Sequence, residues 1–226
     1  MRMYKIETHL HTAQSSTCGK VEAKEAVTLL HESGYSAAAV TDHFYKTRFD
    51  SYGDIPIAEK ISLWKQGYEA AREQGERLGF KIYYGMEIRF TESPNDYLVY
   101  GISDELLAES PELFRMTEKE FKAFADRHHL FVAQAHPFRE HITPADPKNI
   151  HGVEVHNGNP RHDSHNEKAL AFGEEHNLIL LSGSDFHQTE DCSRGGILSK
   201  TLPQNDREFA DLLFSGDFEL FHEDER

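Results

Sequence analysis

The chain has 226 residues, enough for one domain with a sizeable core and no need of disulfide reinforcement. Its formal charge of -15, with 24 Lys and Arg against 39 Asp and Glu, argues against broad binding to a phosphate backbone, which needs a basic stripe. Hydrophobic residues at 38% and charged residues at 28% fit a globular protein, and no apolar run reaches the roughly 20 residues of a membrane-spanning helix. The two cysteines, Cys18 and Cys192, make no disulfide framework, and no signal-like apolar stretch precedes the first strand, so a reducing cytoplasm is the expected compartment. Nothing in the composition divides the chain, and residues 1–226 are read as a single domain.

The first element is a strand, Tyr4-Lys5-Ile6-Glu7-Thr8-His9-Leu10-His11-Thr12, with two histidines at its exit. Side chains two apart on a strand project together, so His9 and His11 form half of a metal site. With 15 histidines in the chain, about one such pair is expected by chance, and the pair alone is a weak signal. Val21 to Ser33 follows as a helix with Ala23, Ala26, Val27 and Leu30 on one face. Ala37 to Thr41 is a short apolar strand ending in Asp42-His43, and residues 44–55 read as loop. One long helix is expected from Ile57 to Leu78, closed by Gly79.

Strands are expected at Lys81–Ile88, with Glu87 near its exit, and at Tyr97–Ile102. Thr117 to Glu120 is a capping box opening a helix with Phe121, Phe124 and Ala125. Leu130 to Ala135 is a strand stopped by His136-Pro137, and Gly152–Val155 is a strand running into His156-Asn157-Gly158. A helix from Asn166 to Glu175 precedes the strand Leu178–Leu181, which leads into Ser182-Gly183-Ser184-Asp185-Phe186-His187. A last helix starts near Asn205, Phe218–Phe221 forms a short strand, and Glu223–Arg226 is expected to fray. Strands alternating with helices predict an α/β fold with a mainly parallel sheet. Polar residues gather at so many strand exits that a barrel-like (β/α) fold is the best reading, since that face carries the chemistry of barrels.

Each exit taken singly has an ordinary explanation. A lone His after a strand is usually a hydrogen-bonded surface residue, and Asp42-His43 alone reads as a turn. Taken jointly, His9/His11, Asp42/His43, Glu87, His136 and Asp185/His187 follow five strands whose ends a barrel brings to one mouth. Imidazoles with carboxylates are the ligand set of Zn²⁺, Mn²⁺ or Fe²⁺ rather than of a Ca²⁺ cage. Their number exceeds one ion's needs, so two or three divalent ions are expected, with Glu87 as a bridging carboxylate. Clustered ions suit in-line displacement at phosphorus, one oxygen being activated as hydroxide while others hold phosphate oxygens. Arg139 and Arg161 lie in the loops of the same mouth, where a guanidinium fork matches phosphate; a surface ion pair is the equally good reading of each. His156 is expected to line the mouth, while His31, His128 and His176 on helices face solvent.

The motifs His9-Leu10-His11-Thr12, Thr41-Asp42-His43, Gly85-Met86-Glu87, Ala135-His136-Pro137 and Ser184-Asp185-Phe186-His187 closely resemble the PHP (polymerase and histidinol phosphatase) family, in the family's order. The resemblance implies a distorted (β/α)₇ TIM-like barrel and a two- or three-metal phosphoesterase site. By that pattern His9, His11, Glu87 and Asp185 hold one ion, Glu87 bridges to a second with His136, and His43 and His187 serve a third. The chain departs from the pattern in two places. Cys18 stands where an Asp before Gly is common, and residues 96–103 contain no His. Cys18 reads as a small buried thiol, with a soft ligand favouring Zn²⁺ as the other reading.

These expectations amount to a metal-dependent phosphatase acting on a small phosphomonoester of the histidinol phosphate or nucleotide class, with no nucleic acid and no membrane as partner. Glu87 and the nearby acid Asp42 are the expected catalytic carboxylates, Asp42 protonating the leaving oxygen. A phosphodiesterase or nuclease on the same ions, and a non-catalytic metal-binding module, are the alternatives. An amidohydrolase-type deaminase also begins with His-x-His but needs a strand-end lysine as bridge, and none is evident.

Overall fold

The computed structural model describes residues 3–222, so the expected fraying of 223–226 lies outside the described residues. In chain order the first half comprises β1 (Tyr4–Leu10), α1 (Ala23–Glu32), β2 (Ala37–Val40), β3 (His43–Tyr45), α2 (Lys46–Asp50), α3 (Ile57–Trp64), α4 (Gln66–Leu78) and β4 (Lys81–Arg89). The second half comprises β5 (Asp96–Tyr100), α5 (Asp104–Glu109), α6 (Glu118–His128), β6 (Phe131–Gln134), β7 (Gly152–Asn157), α7 (Asn166–Glu175), β8 (Ile179–Gly183), β9 (Gly195–Ser199), α8 (Asp206–Ser215) and β10 (Phe218–His222). The strands lie side by side in the order β10-β9-β1-β2-β4-β5-β6-β7-β8, with β3 beside the end of β4.

Seven of these, β1, β2, β4, β5, β6, β7 and β8, curl into a nearly closed barrel, the distorted (β/α)₇ form expected. The seam between β8 and β1 is made beyond the end of β8: the His11 N–H donates to the Phe186 carbonyl and the Phe186 N–H to the His9 carbonyl, each at 3.0 Å. Thr8 Oγ1 adds a bond of 2.6 Å to the Ser182 carbonyl. Around the barrel the pairings are parallel except at β5, which runs antiparallel to both β4 and β6. The connection at residues 90–95 is too short for a helical crossover, so β5 must fold back on β4.

One apolar cluster combines Ile6, Ala37, Ala39, Tyr83, Leu98, Tyr100, Ala133 and Leu181 from six strands with Phe209, Leu212 and Leu213 of α8. Side chains from around the ring can meet only inside the barrel, and α8 seals the end opposite the strand exits. Tyr83 stacks on Phe209 with ring centroids 4.2 Å apart. The alternate residues Ala38 and Val40 face outward against α1 and α4. A large aromatic cluster under α3, α5 and α6 covers β4 and β5, and a smaller one lies under α7.

Three expectations need correction. Residues 44–55 hold β3 and α2 rather than loop alone. The single helix 57–78 is two, divided at Lys65. Ser15 Oγ enters that junction, accepting from the Gly67 N–H at 2.9 Å and donating to the Trp64 carbonyl, and an inserted side chain kinks a helix at that point. Finally, β9, rich in glycine, pairs with β1 and β10 and was not among the expected strands.

Candidate metal centre

The strand that carries His9 and His11 is irregular where it matters. Thr8 and His9 both turn their N–H groups onto Glu7 Oε1, at 2.9 and 2.8 Å, and the pairing register of β1 with β2 shifts between Glu7 and Leu10. In a regular strand Ile6 and Leu10 would share a face; here Ile6 lies in the inner cluster and Leu10 in an outer one. The bulge therefore turns His9 and His11 inward, toward the other strand exits.

Glu87, at the exit of β4, lies among four imidazoles: 3.4 Å from His9 Nε2, 3.4 Å from His11 Nε2, 2.7 Å from His43 Nδ1 and 3.2 Å from His136 Nε2. Asp185 Oδ1 lies 3.4 Å from the Nε2 atoms of both His9 and His11 and 3.4 Å from His187 Nδ1. Glu87, Asp185, His9 and His11 are almost wholly shielded from solvent. His136 and Asp185 both have positive φ, 30° and 52°, in a region non-glycine residues seldom adopt, and such residues gather at functional sites.

The hydrogen bonds fix which nitrogen is bare. His9 Nδ1–H donates to Glu154 Oε1 at 2.8 Å, and His11 Nδ1–H donates to Ser16 Oγ at 3.2 Å, whose own proton goes to Asp42 Oδ1. In the neutral rings both Nε2 atoms then carry lone pairs, yet they stand 3.1 Å apart. Two lone pairs so close, beside two carboxylates, call for a cation among them. Glu87 Oε2 and His43 Nδ1 make the same point: they are buried and 2.7 Å apart, and neither has a hydrogen-bond partner. The donors present fit divalent Zn, Mn or Fe.

Electrostatics agrees. Burial opposes a charge on His9, but Glu154, Asp185 and Glu87 outweigh it and hold its pKa well above the usual value. Burial opposes ionisation of Glu87 and Asp185 too, and the surrounding histidines, with Arg139 beside Asp185, hold both well below the carboxylate range. His11 is lowered, by burial first and then by His187 and His43. A proton on His9 thus occupies the cluster where a metal would.

Among the described residues, three groups of donors have ligand atoms within 4.8 Å of one another: His9, His11 and Asp185; His43, Glu87 and Asp96; and His11, Cys18, His43 and His187. All seven ligands proposed from the sequence therefore lie about one mouth, His136 entering through its contact with Glu87. The other expected residues are placed differently. Asp42 accepts from Thr12 N–H at 2.8 Å, Thr12 Oγ1–H at 2.7 Å and Ser16 Oγ–H at 2.6 Å, which ties its carboxylate to the loop after β1 rather than leaving it as an acid for the leaving oxygen. Arg139 reaches the cluster, its Nη2 donating to Asp185 Oδ2 at 2.9 Å, Asn157 Oδ1 at 2.9 Å and Ser164 Oγ at 3.1 Å. Arg161 closes its fork on Asp191, at 2.7 and 2.6 Å, and Asp191 also receives the backbone N–H groups of His187 and Gln188. That pair braces the turn carrying His187. His156 bonds to the Arg194 carbonyl at 3.0 Å at the edge of the mouth, and His31, His128 and His176 are exposed.

Two residues escaped the sequence reading. Glu154 holds His9 in its tautomer and accepts the His136 N–H at 3.0 Å, so one carboxylate orients two candidate ligands. Its signal was there, a single acid between two valines of a buried strand, where an unpaired charge is costly. Asp96 starts β5, bound by Nε and Nη2 of Arg89 at 2.7 and 2.6 Å, within ligand reach of His43 and Glu87.

Among solved structures, the chain is similar to a two-domain protein from Bacteroides vulgatus containing a predicted PHP-like metal-dependent phosphoesterase, at 21% identity and a TM-score of 0.73, over 98% of this chain and 65% of that one. It therefore spans somewhat less than two thirds of that protein. PsfC from Pseudomonas syringae is similar at 16% identity and a TM-score of 0.68, over 99% and 93% of the two chains. The lesion-specific endonuclease PfuEndoQ from Pyrococcus furiosus is similar at 13% identity and a TM-score of 0.61, over 97% of this chain and 58% of that one. At these identities the likeness is one of fold. No curated protein matches the chain. The family model described as the PHP domain matches residues 7–194, from the bulged acid of β1 to the turn after His187. The chain belongs to the PHP domain family.

Proposed function

We propose that this protein is a phosphatase that hydrolyses a small phosphomonoester, of the histidinol phosphate or nucleotide class, with two or three divalent ions held at the barrel mouth. The observation that carries the reading is Glu87, one carboxylate within 3.4 Å of four imidazoles, which is the arrangement of a bridging ligand. When bound, such ions supply positive charge for phosphate oxygens and lower the pKa of a water. The chain's own contribution is position. Glu154 orients His9 and the backbone of His136, Arg161 with Asp191 braces His187, and Arg139 brings a fixed cation to Asp185. Arg139 Nε is buried without a partner, and it is the donor we assign to a phosphate oxygen.

Substrate size follows from the surroundings. Beside the cluster a cavity of about 580 Å³ is lined by Asn157, Asn159, Arg161, His162, His165 and Arg194 among others, room for a small ester. A monoester also carries more negative charge than a diester, which a compact set of cations rewards. The endonuclease neighbour has the same fold, and a nuclease reading needs a basic or stacking path for a strand; the charge of -15 speaks against one. The test is kcat/KM of the metal-loaded protein for p-nitrophenyl phosphate against bis-p-nitrophenyl phosphate, with cleavage of a short single-stranded oligonucleotide alongside. The monoester should be turned over faster. Faster diester turnover, or degradation of the oligonucleotide, moves the protein to the nuclease reading, and no turnover of any ester with metal bound leaves a binding module.

A further inference from the structure

We propose that Cys18 is a thiolate ligand, holding a divalent ion together with His43 and His187, and that this sulfur makes that position selective for zinc-like ions over manganese. The inference rests on the reading of the mouth as a metal centre, and it concerns a residue that the phosphatase reading does not use.

Geometry comes first. Cys18 belongs to a group of four donors, with His11, His43 and His187, whose ligand atoms all lie within 4.8 Å of one another. Of the three groups of this kind among the described residues, it alone contains sulfur. Cys18 Sγ lies 3.1 Å from His187 Nε2. His187 Nδ1–H donates to the Asp185 carbonyl at 2.7 Å, so Nε2 is the lone-pair nitrogen and faces the sulfur. A tetrahedral zinc with Zn–S about 2.3 Å and Zn–N about 2.0–2.1 Å separates such donors by roughly 3.5 Å, so a shift of a few tenths of an ångström suffices to admit the ion. The rings of His43 and His187 both pack against His11, with centroids 4.5 and 4.4 Å from it, which places His11 between this position and the one it forms with His9 and Asp185.

The loop that presents the thiol is held in place independently of any ion. Asp42 binds Thr12 and Ser16, the Gly19 N–H donates to the Ser16 carbonyl at 3.1 Å, and the Lys20 N–H donates to the carbonyl of His187 itself at 2.8 Å. Cys18 and His187 are thus fixed to each other through backbone, which is the preorganisation a ligand pair needs. A thiol acting only as packing would sit among apolar side chains. Cys192 does so, against the outer cluster with Ser33 Oγ 3.2 Å away, whereas Cys18 faces imidazoles. Binding releases the thiol proton to solvent, and the resulting soft donor disfavours Mn²⁺ relative to Zn²⁺ or Co²⁺.

Cobalt titration tests this. Wild-type protein loaded with Co²⁺ should develop a sulfur-to-cobalt charge-transfer band in the near ultraviolet, and Cys192→Ser should keep it. Cys18→Ala and Cys18→Asp should both lose the band, and Cys18→Asp, which retains an oxygen donor, should still bind the ion with its preference for Zn²⁺ over Mn²⁺ reduced on the order of tenfold. Circular dichroism of each variant checks the fold, and the wild-type spectrum decides the matter even if a variant fails to fold. Cobalt-loaded wild type without the band, or a band that persists in Cys18→Ala, overturns the thiolate ligand; ester hydrolysis in such a protein leaves the phosphatase reading standing. A band at Cys18 in a loaded protein that hydrolyses no ester supports the ligand and overturns the phosphatase.

Discussion

His9 can offer Nε2 to a metal only while its proton sits on Nδ1, and Glu154 is the group that keeps it there, at 2.8 Å. The two roles separate in mutants. His9→Ala removes a donor outright, so it should lose bound metal and activity together while its circular dichroism stays that of the parent, since the side chain lies at the mouth and outside the apolar clusters. Metal per chain by elemental analysis reads this, and unchanged metal in both His9→Ala and Asp185→Ala would sink the site. Glu154→Gln keeps every donor but removes the charge that fixes the ring and anchors the His136 backbone. Partners of this kind are typically worth about 10–100-fold in metal affinity, and a competition titration with a chromophoric chelator should show a loss of that order. An affinity equal to the parent's would reduce Glu154 to a packing residue.

Close approach of one element to another shapes the site at Gly67. Gly67, near the start of α4, lies so close to the loop after β1 that a Cβ there would fall 2.0 Å from Thr12 Oγ1, 2.6 Å from Asp42 Oδ2 and 2.8 Å from Ser15 Oγ. Those atoms are held by hydrogen bonds of their own and cannot simply swing away. Gly67→Ala should therefore cost about 1–3 kcal/mol in urea unfolding, as overpacking does, and should also weaken metal binding by displacing the loop that carries His11 and Cys18. Parent-like stability would mean the loop yields freely. That contact also shows what a sequence can and cannot convey. The 3.6-residue period of 57–78 is continuous, and the kink at Lys65 comes from Ser15, some fifty positions away. β5 was legible as a strand but not as one reversed against its neighbours. Its N-terminus faces the mouth and brings Asp96. The residues that β1, β4 and β8 bring to the mouth were legible because each sits at the exit of a strand parallel to the rest. Asp42 was misjudged because residue type and loop position do not reveal that Ser16 and Thr12 already hold the group, whereas for Arg161 the ion-pair reading, one of the two the sequence offers, is the one found, with Asp191.

Across the whole molecule, the buried charges link metal, protons and stability. Burial lifts Glu7 to about 7 from 4.5 and Asp42 to about 6 from 3.8, and the carboxylates hold His9 and His43 well above the ordinary imidazole value against the effect of burial. These four groups move in one direction, while His11, which is lowered, and Cys18, brought from 9.0 down to about 6, move the other way and offset part of their effect. A group whose pKa is higher folded than unfolded binds more protons in the folded state between the two values, so stability is full below the unfolded pKa and falls as pH rises through the folded one. A tenfold change in proton affinity is worth about 1.4 kcal/mol, so Glu7 alone contributes a loss on the order of 3 kcal/mol between pH about 4.5 and about 7. Glu87 and Asp185 are displaced the opposite way and lose their contribution only in acid, below the ordinary carboxylate range. Metal-free protein should therefore unfold at progressively lower temperature from pH about 5 to about 8, as the protons that stand in for cations leave. A divalent ion would displace the protons held by His9 and His43 and bind better as they depart, and it stabilises the folded state by mass action. The increase in Tm on adding Mn²⁺ or Zn²⁺ should accordingly widen across that range. Glu7→Gln, which keeps a neutral side chain in the buried position, should flatten the metal-free curve near neutrality without abolishing metal binding. Scanning calorimetry in chelator and in excess metal supplies both curves; parallel curves, or a metal-free Tm that climbs with pH, would mean that these groups are not coupled to folding in the way their burial and partners require.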